Sequence, residues 1–270
     1  MAYHENEDLT KWVVEYDGSA GWEVVSPILS NEQGLMELHG VCNRLTRLLD
    51  SHPFLRVNFR TGLHLTIASR LKTQDRFQAF LNRVQRIEPG LYSMVSPSRL
   101  YRFNGRKYLL RMRNGYCRPL RTVSPRRKID DFIARNENRY YSVNLTRLDE
   151  NIEKIEIRLH NGTTDFCKIV TFLSLWMQIL NRSRNATELR GVRDVYPPVK
   201  RWFASDNVDD EDLLKLLEAE GISTCPNLQA LIRKRRSDLR ESWMKVHPQR
   251  VEMWAKAGWY PGSVAFPVAG

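Results

Sequence analysis

The 270-residue chain has no apolar run near the ~18 residues that crossing a bilayer requires. Its longest candidate, Phe166 to Leu180, is broken by Lys168, Thr171, Ser174 and Gln178, so no membrane partner is expected. The opening residues Met-Ala-Tyr-His-Glu-Asn-Glu-Asp are polar and acidic, unlike a secretory signal or an Arg-rich transit peptide. Cysteine is scarce. Cys42, Cys117, Cys167 and Cys225 lie far apart and form no Cys-x-x-Cys pair, so reduced thiols in a cytoplasmic protein are expected rather than disulfides or zinc. Gly105, Gly115 and Gly162 make no glycine-rich phosphate loop, which disfavours P-loop and dinucleotide-binding folds. There is no internal repeat and no low-complexity segment.

What is present describes a globular protein. Hydrophobic residues are 42% and charged residues 27% of the chain, with ten Phe, ten Tyr and seven Trp, close to the average for folded domains. A chain this long buries a sizeable core without a disulfide or metal. The net charge of +11 is unevenly spread: residues 1–40 hold eight acids and one Lys, while residues 99–139 hold thirteen Lys or Arg and three acids. Such a basic block suits a polyanion, a nucleotide or an acidic substrate, and equally suits a solvated face.

Periodicity predicts strands at Trp12–Tyr16 and Trp22–Val25, the second ended by Ser26-Pro27. A helix is expected from Asn31, as N-cap, to Leu49. Strands at Phe54–Phe59 and Leu63–Ala68 follow, then a helix capped by Thr73 and stopped near Glu88 by Pro89-Gly90. The basic stretch reads as short strands and loops around two Asn-Gly turns, with a short helix near Ile129–Arg135. Alternating strands at Tyr140–Leu145 and Lys154–Leu159 precede a long helix, capped by Thr163 or Thr164 and reaching about Asn181. Beyond Pro197-Pro198 the chain reads as helical at Val199–Phe203, Asp209–Glu220, Asn227–Arg236 and Leu239–Val246. Without a regular βαβ rhythm, the expected class is α+β with a largely antiparallel sheet.

Three strands carry polar residues in informative places. In Lys154-Ile155-Glu156-Ile157-Arg158-Leu159-His160, alternation sends Ile155, Ile157 and Leu159 to one face and Glu156, Arg158 and His160 to the other. An ordinary amphipathic strand has the same pattern. The functional alternative is a ledge on which a carboxylate holds a divalent cation and a guanidinium grips phosphate. His64 and Thr66 likewise oppose Leu63, Leu65 and Ile67, and Glu23 shares a strand face with Val25, where a buried carboxylate needs a partner. Gathered on one face, Glu23, His64 and Glu156 would make a site suited to Mg²⁺ or Mn²⁺.

Trp-Glu-Val-Val-Ser-Pro-Ile-Leu at 22–29, Thr-Gly-Leu-His at 61–64, Tyr140–Leu145 and Ile155–Thr163 resemble, in order and spacing, four motif segments of the amidoligase family. The resemblance covers residues 12 to about 185. It implies a glutamine synthetase-like fold, with a concave metal- and nucleotide-binding face and helices on the other face. It also implies ATP-dependent amide formation between a carboxylate and an amine, on small-molecule or peptide substrates. By that resemblance Glu23 and Glu156 are metal ligands for Mg or Mn, His64 is a further metal ligand or a nucleotide-phosphate contact, and Arg158 holds phosphate or an acyl-phosphate. Asn144 orients substrate or nucleotide, and Arg99, Arg113 and Asn114 are further anion contacts. A homo-oligomer follows by analogy alone.

Two departures accompany the match. The family's opening "G-x-E-x-E" strand is seen only as Glu5-Asn6-Glu7 without apolar neighbours, and Thr66 replaces the second His of "H-x-H". The expected organisation is an amidoligase domain over 1–195, lacking that first strand, and a helical, basic extension over 196–270. The alternative function is a catalytically inactive relative that binds nucleic acid or protein through residues 99–139, where Tyr101, Phe103, Tyr108 and Tyr116 interleave with basic charge.

Overall fold

The computed structural model describes residues 10–18, 21–57, 61–99, 101–103, 108–110, 116–120, 123, 127–149, 153–186 and 210–244. The chain divides into two compact units: Met1–Gly62 with Asn161–Val170, and Leu63–His160 with Thr171–Gly270. The class is α+β, with small antiparallel sheets among helices.

In the first unit, β1 (Val13–Asp17) and β2 (Gly21–Val25) form an antiparallel hairpin in which Glu15 faces Glu23 and Tyr16 faces Trp22. Helix α1 (Asn31–Ser51) follows the Ser-Pro step as expected, with Ser30 rather than Asn31 as its N-cap residue. Thr46 Oγ1 donates to Thr164 Oγ1 at 2.8 Å, and the His39 ring meets Phe166 at 4.8 Å between centroids. These interactions tie α1 to the segment that leads into the long helix. The strand expected at Phe54–Phe59 is not formed over the described part, residues 54–57. Its first residues make a turn in which Leu55 N–H donates to His52 O. An isolated apolar run has no ladder to join, and Pro53 removes one donor.

The second unit is built on a three-stranded sheet of order β3-β7-β6, where β3 is Gly62–Ala68, β6 is Val143–Asn144 and β7 is Lys154–Asn161. Strand β6 pairs antiparallel with β7, Asn144 opposite Glu156 and Val143 opposite Ile157. Ile155, Ile157 and Leu159 are fully buried, and Leu65 and Ile67 on β3 are buried as well. The period-2 expectation for both strands therefore holds. Strands β4 (Tyr101–Phe103) and β5 (Tyr108–Leu110) make a separate short ladder. Most of the strand expected at Tyr140–Leu145 is not formed: a 3-10 turn, Asn136–Tyr140, runs into its start, leaving two residues for β6. Asn138 fixes that turn by donating from Nδ2 to Phe132 O at 2.5 Å, at the end of α3 (Ile129–Ile133).

Helix α2 (Gln74–Ser93) does not stop at Glu88 but runs through Pro89-Gly90. A proline and a glycine inside a helix cost about 3 and 1 kcal/mol. Leu91 and Tyr92, carried on the extra turn, are almost wholly buried, and at ~1.5–3 kcal/mol each their burial offsets that cost. Helix α4 (Phe166–Arg184) is capped by Asp165, whose Oδ1 accepts from Lys168 N at 3.0 Å. Thr163 instead accepts from Asp165 N through its hydroxyl oxygen.

Beyond it lie α5 (Asp210–Ala219) and α6 (Pro226–Met244). Helix α6 is continuous where two helices were expected, the i,i+4 pair Lys234–Asp238 at 3.2 Å spanning the join. Glu220, just past α5, anchors this region to α2 through Arg83 (3.0 Å) and Arg86 (2.5 Å). Helix Val199–Phe203 lies outside the described residues.

Candidate functional site

Because β6 and β3 flank β7, their outward side chains meet those of β7. Glu156 stands at the centre. Its Oε1 lies 2.8 Å from Arg158 Nη1 and 3.2 Å from His64 Nδ1, and its Oε2 accepts from Asn144 Nδ2 at 2.9 Å. Burial by itself would push the Glu156 carboxyl up. The positive charge of Arg158, then His64, with hydrogen bonds from Asn144 and Arg158, outweighs that effect and holds it below the usual carboxylate range. The side chains are nearly out of solvent, at 12% exposure for Glu156 and 15% for Arg158, whereas His64 keeps 34%.

A further layer holds these groups in place. Asn144 Oδ1 accepts from both the backbone N–H (3.0 Å) and the hydroxyl (2.7 Å) of Thr146. The amide is thereby oriented with its NH₂ toward Glu156. Arg158 is fixed through its backbone: its N–H donates to Ser142 O at 2.8 Å, and its carbonyl accepts from Cys117 Sγ–H at 2.9 Å. Ser142 in turn donates to the buried Glu88 at 2.7 Å. Cys117 sits at φ +59, a left-handed conformation unusual for a residue with a Cβ. Its carbonyl accepts from Tyr92 OH at 2.5 Å. The strained turn places the Tyr116 ring 5.6 Å from the Arg158 guanidinium carbon. Arg158 Nε is buried and has no hydrogen-bond partner among the described residues.

The remaining predicted residues are distributed as follows. Glu23 lies on β2 of the first unit, opposite Glu15. Arg99 is buried, and its charge acts on His160. Arg113 and Asn114 lie outside the described residues. His160, read from alternation as sharing the face of Glu156 and Arg158, is fully buried at the end of β7. It stacks on Phe172 at 3.6 Å and accepts from Trp176 Nε1 at 2.8 Å. Thr146 was not foreseen. Its one signal is position, two residues after an Asn, where such hydroxyls commonly close local side-chain turns.

Among the described residues no group of three or more His, Cys, Asp or Glu side chains could hold a metal ion. The pair His64–Glu156 is what the sheet brings together. Glu156 Oε2 accepts from Asn144 and, as a carboxylate oxygen, can take a second contact. Both Glu156 oxygens face protein donors, Oε1 toward Arg158 and His64 and Oε2 toward Asn144.

The sequence model of a family described as "putative amidoligase enzyme" matches residues 2–180. The chain belongs to the amidoligase family. All of β1 through β7 falls inside the match, as do Glu23, His64, Asn144, Glu156 and Arg158, while α5 and α6 of this amidoligase lie beyond it. No curated protein and no solved structure matches the chain. Among the described residues no helix is long and apolar enough to cross a membrane.

Proposed function

We propose that this amidoligase joins an amine to a carboxylate at the expense of ATP, through an acyl-phosphate, on the face of β3, β7 and β6. One observation carries the reading. A carboxylate flanked by a guanidinium, an imidazole and an amide shares its ledge with an arginine Nε that is buried and unpartnered among the described residues. Burying an unsatisfied guanidinium N–H is costly, and the part of the Arg158 side chain that stays exposed, 15%, can give a phosphate or carboxylate oxygen a charge-assisted bond.

In this mechanism Arg158 binds the transferring phosphoryl group and then the phosphate portion of the acyl-phosphate. The substrate carboxylate oxygen attacks the γ-phosphorus and ADP leaves; the neutral amine nitrogen then attacks the carbonyl carbon, phosphate leaves with the C–O bond electrons, and the nitrogen's extra proton passes to solvent. Asn144 holds Glu156 in place, and Glu156 fixes the Arg158 fork so that its donors need little reorganisation during the reaction. Glu156 with His64 would hold Mg²⁺ or Mn²⁺, which supplies charge neutralisation on the phosphates. A glutamine synthetase-like concave face is the architecture this reading requires.

The alternative reading is a nucleic-acid- or protein-binding module through residues 99–139. In and beside that stretch, arginine guanidinium carbons lie 5.6, 4.8 and 4.4 Å from the ring centres of Tyr116, Tyr140 and Tyr141, and the exposed Tyr116 ring offers a face to a base.

The test is ADP release by purified protein offered pooled carboxylates and amines. The proposal expects release that needs both substrate classes and is abolished in Arg158→Met. Release that needs neither class, or that survives Arg158→Met, would refute it.

A further inference from the structure

Among the described residues, Tyr116 is the one large hydrophobic side chain of the second unit that stays exposed, at 38%. The turn beneath it is fixed at several points. Cys117 holds its left-handed φ of +59 while its Sγ–H donates to Arg158 O and its carbonyl accepts from Tyr92 OH. Arg118 pairs with the chain ahead of β6, its N–H donating to Tyr140 O at 2.9 Å and its carbonyl accepting from Ser142 N at 2.7 Å. Leu120 is held by two fully buried residues of α2, its N–H by Glu88 Oε1 and its carbonyl by Gln85 Nε2, each at 2.8 Å. Backbone strain of this kind persists only where the surroundings over-determine it, and it gathers at ligand sites. What this strained turn presents is an aromatic ring, 5.6 Å from the Arg158 guanidinium carbon and edge to face with Tyr140 at 5.1 Å.

We propose that Tyr116 is the specificity-determining wall of the Glu156–Arg158 ledge, and that the acid taken there carries an aromatic ring joined to its carboxylate directly or through a short link. The inference deepens the ligase reading and rests on it for the fate of the bound acid. Distance selects the ligand. A charge-assisted bond holds an anion's oxygens ~2.7–2.9 Å from guanidinium nitrogens, and paired aromatic rings sit ~4.5–7 Å apart between centroids. Arg158 and the Tyr116 ring are only 5.6 Å apart, so a ligand that meets both has its anionic group and its ring side by side. Aryl and arylacetic acids are built that way. In ATP the ribose and two phosphates stand between the base and the terminal phosphate, so a nucleotide gripped by that phosphate carries its base away from Tyr116.

Charge assigns the wall to the acid rather than the amine. Arg158 lies at the Tyr116 ring, and Arg139 lies 4.8 Å from the Tyr140 ring and donates to its hydroxyl. A wall flanked by two guanidinium groups repels an ammonium group and attracts a carboxylate. An aromatic acid also gains a ring-to-ring contact that an aliphatic acid of similar size lacks.

Calorimetric titration of the full chain with phenylacetate, cyclohexylacetate and acetate tests this without turnover. The wild type should bind phenylacetate about fivefold more tightly than cyclohexylacetate, the gain expected of an aromatic pair, and acetate most weakly. Tyr116→Phe keeps the ring and should keep that order. Tyr116→Leu should bring phenylacetate down to the level of cyclohexylacetate, with an unchanged circular dichroism melt. Arg158→Met should weaken all three acids. The proposal is overturned if the wild type binds none of them, shows no preference for phenylacetate, or keeps the preference in Tyr116→Leu. A Tyr116→Leu loss confined to ATP affinity would give the ring to the nucleotide and equally overturn it. ADP release separates this proposal from the ligase reading. Phenylacetate bound through Tyr116 without ADP release for any amine supports the wall and removes the ligase. ADP release as fast with acetate as with phenylacetate leaves the ligase and removes the wall.

Discussion

Thr146 donates twice to Asn144 Oδ1, and that double contact decides which end of the Asn144 amide faces Glu156. Thr146→Ser keeps both donors, so turnover in the ADP-release assay should stay near wild type. Thr146→Val keeps the backbone N–H and loses the hydroxyl. At about 1 kcal/mol for a hydrogen bond of this kind, turnover should fall several-fold. The drop should appear in kcat rather than KM, because the residue positions Glu156 and does not touch substrate.

The Glu220 carboxylate is fully buried, against an Arg86 that is itself buried and an Arg83 that is largely so. Glu220→Ala leaves those cations without their partner and should cost roughly 3–5 kcal/mol, visible as a lower urea midpoint. Adding Arg86→Met to that variant should recover part of the loss, since an apolar side chain then occupies the space.

His160 has its pKa pushed down to about 3 by burial first, and then by the charges of Arg99 and Arg235. A histidine depressed in the folded state contributes stability that is complete above its unfolded value. That stability is lost as pH falls from about 6.5 toward the folded value, at ~1.4 kcal/mol per pH unit. Urea unfolding at several pH values across the range from neutral to about pH 5 should show that slope in the wild type and a flatter profile in His160→Gln.

Glu156 acts in a more acidic window. Its carboxyl is held below the usual range despite burial, so its contribution is present above the unfolded value of about 4.3 and disappears as pH drops through the lowered folded value. Glu156→Gln should lose less stability than the wild type over that interval, measured by the same method.

The sheet was legible because period-2 alternation over Leu63–Ala68 and Lys154–Leu159 needs one apolar face and one polar face, and the pattern names both. The long helices were legible for the same reason at a period of 3.6 residues. The continuation of α2 through Pro89-Gly90 was not legible, because the burial of Leu91 and Tyr92 that offsets the proline depends on the tertiary core. Likewise, alternation gives the face of His160 but not the arrival of Phe172 and Trp176 over the strand end. Glu156, Arg158, His64 and Asn144 were each visible as polar residues on strands. Their convergence is a fact of pairing between segments far apart in the chain, which local pattern does not encode. Thr146 was missed because a threonine after an Asn is ordinary in turns and carries no distinguishing mark of its own.

The central claim is that the Glu156–Arg158 ledge receives the phosphates of a nucleotide. Calorimetric titration of the full chain with ATP in the presence of Mg²⁺ tests it most directly. The wild type should bind, and Arg158→Met and Glu156→Gln should each weaken binding about tenfold or more, the loss expected for a charge-assisted contact, while keeping wild-type circular dichroism. Equal affinity in the wild type and both folded variants would contradict the account.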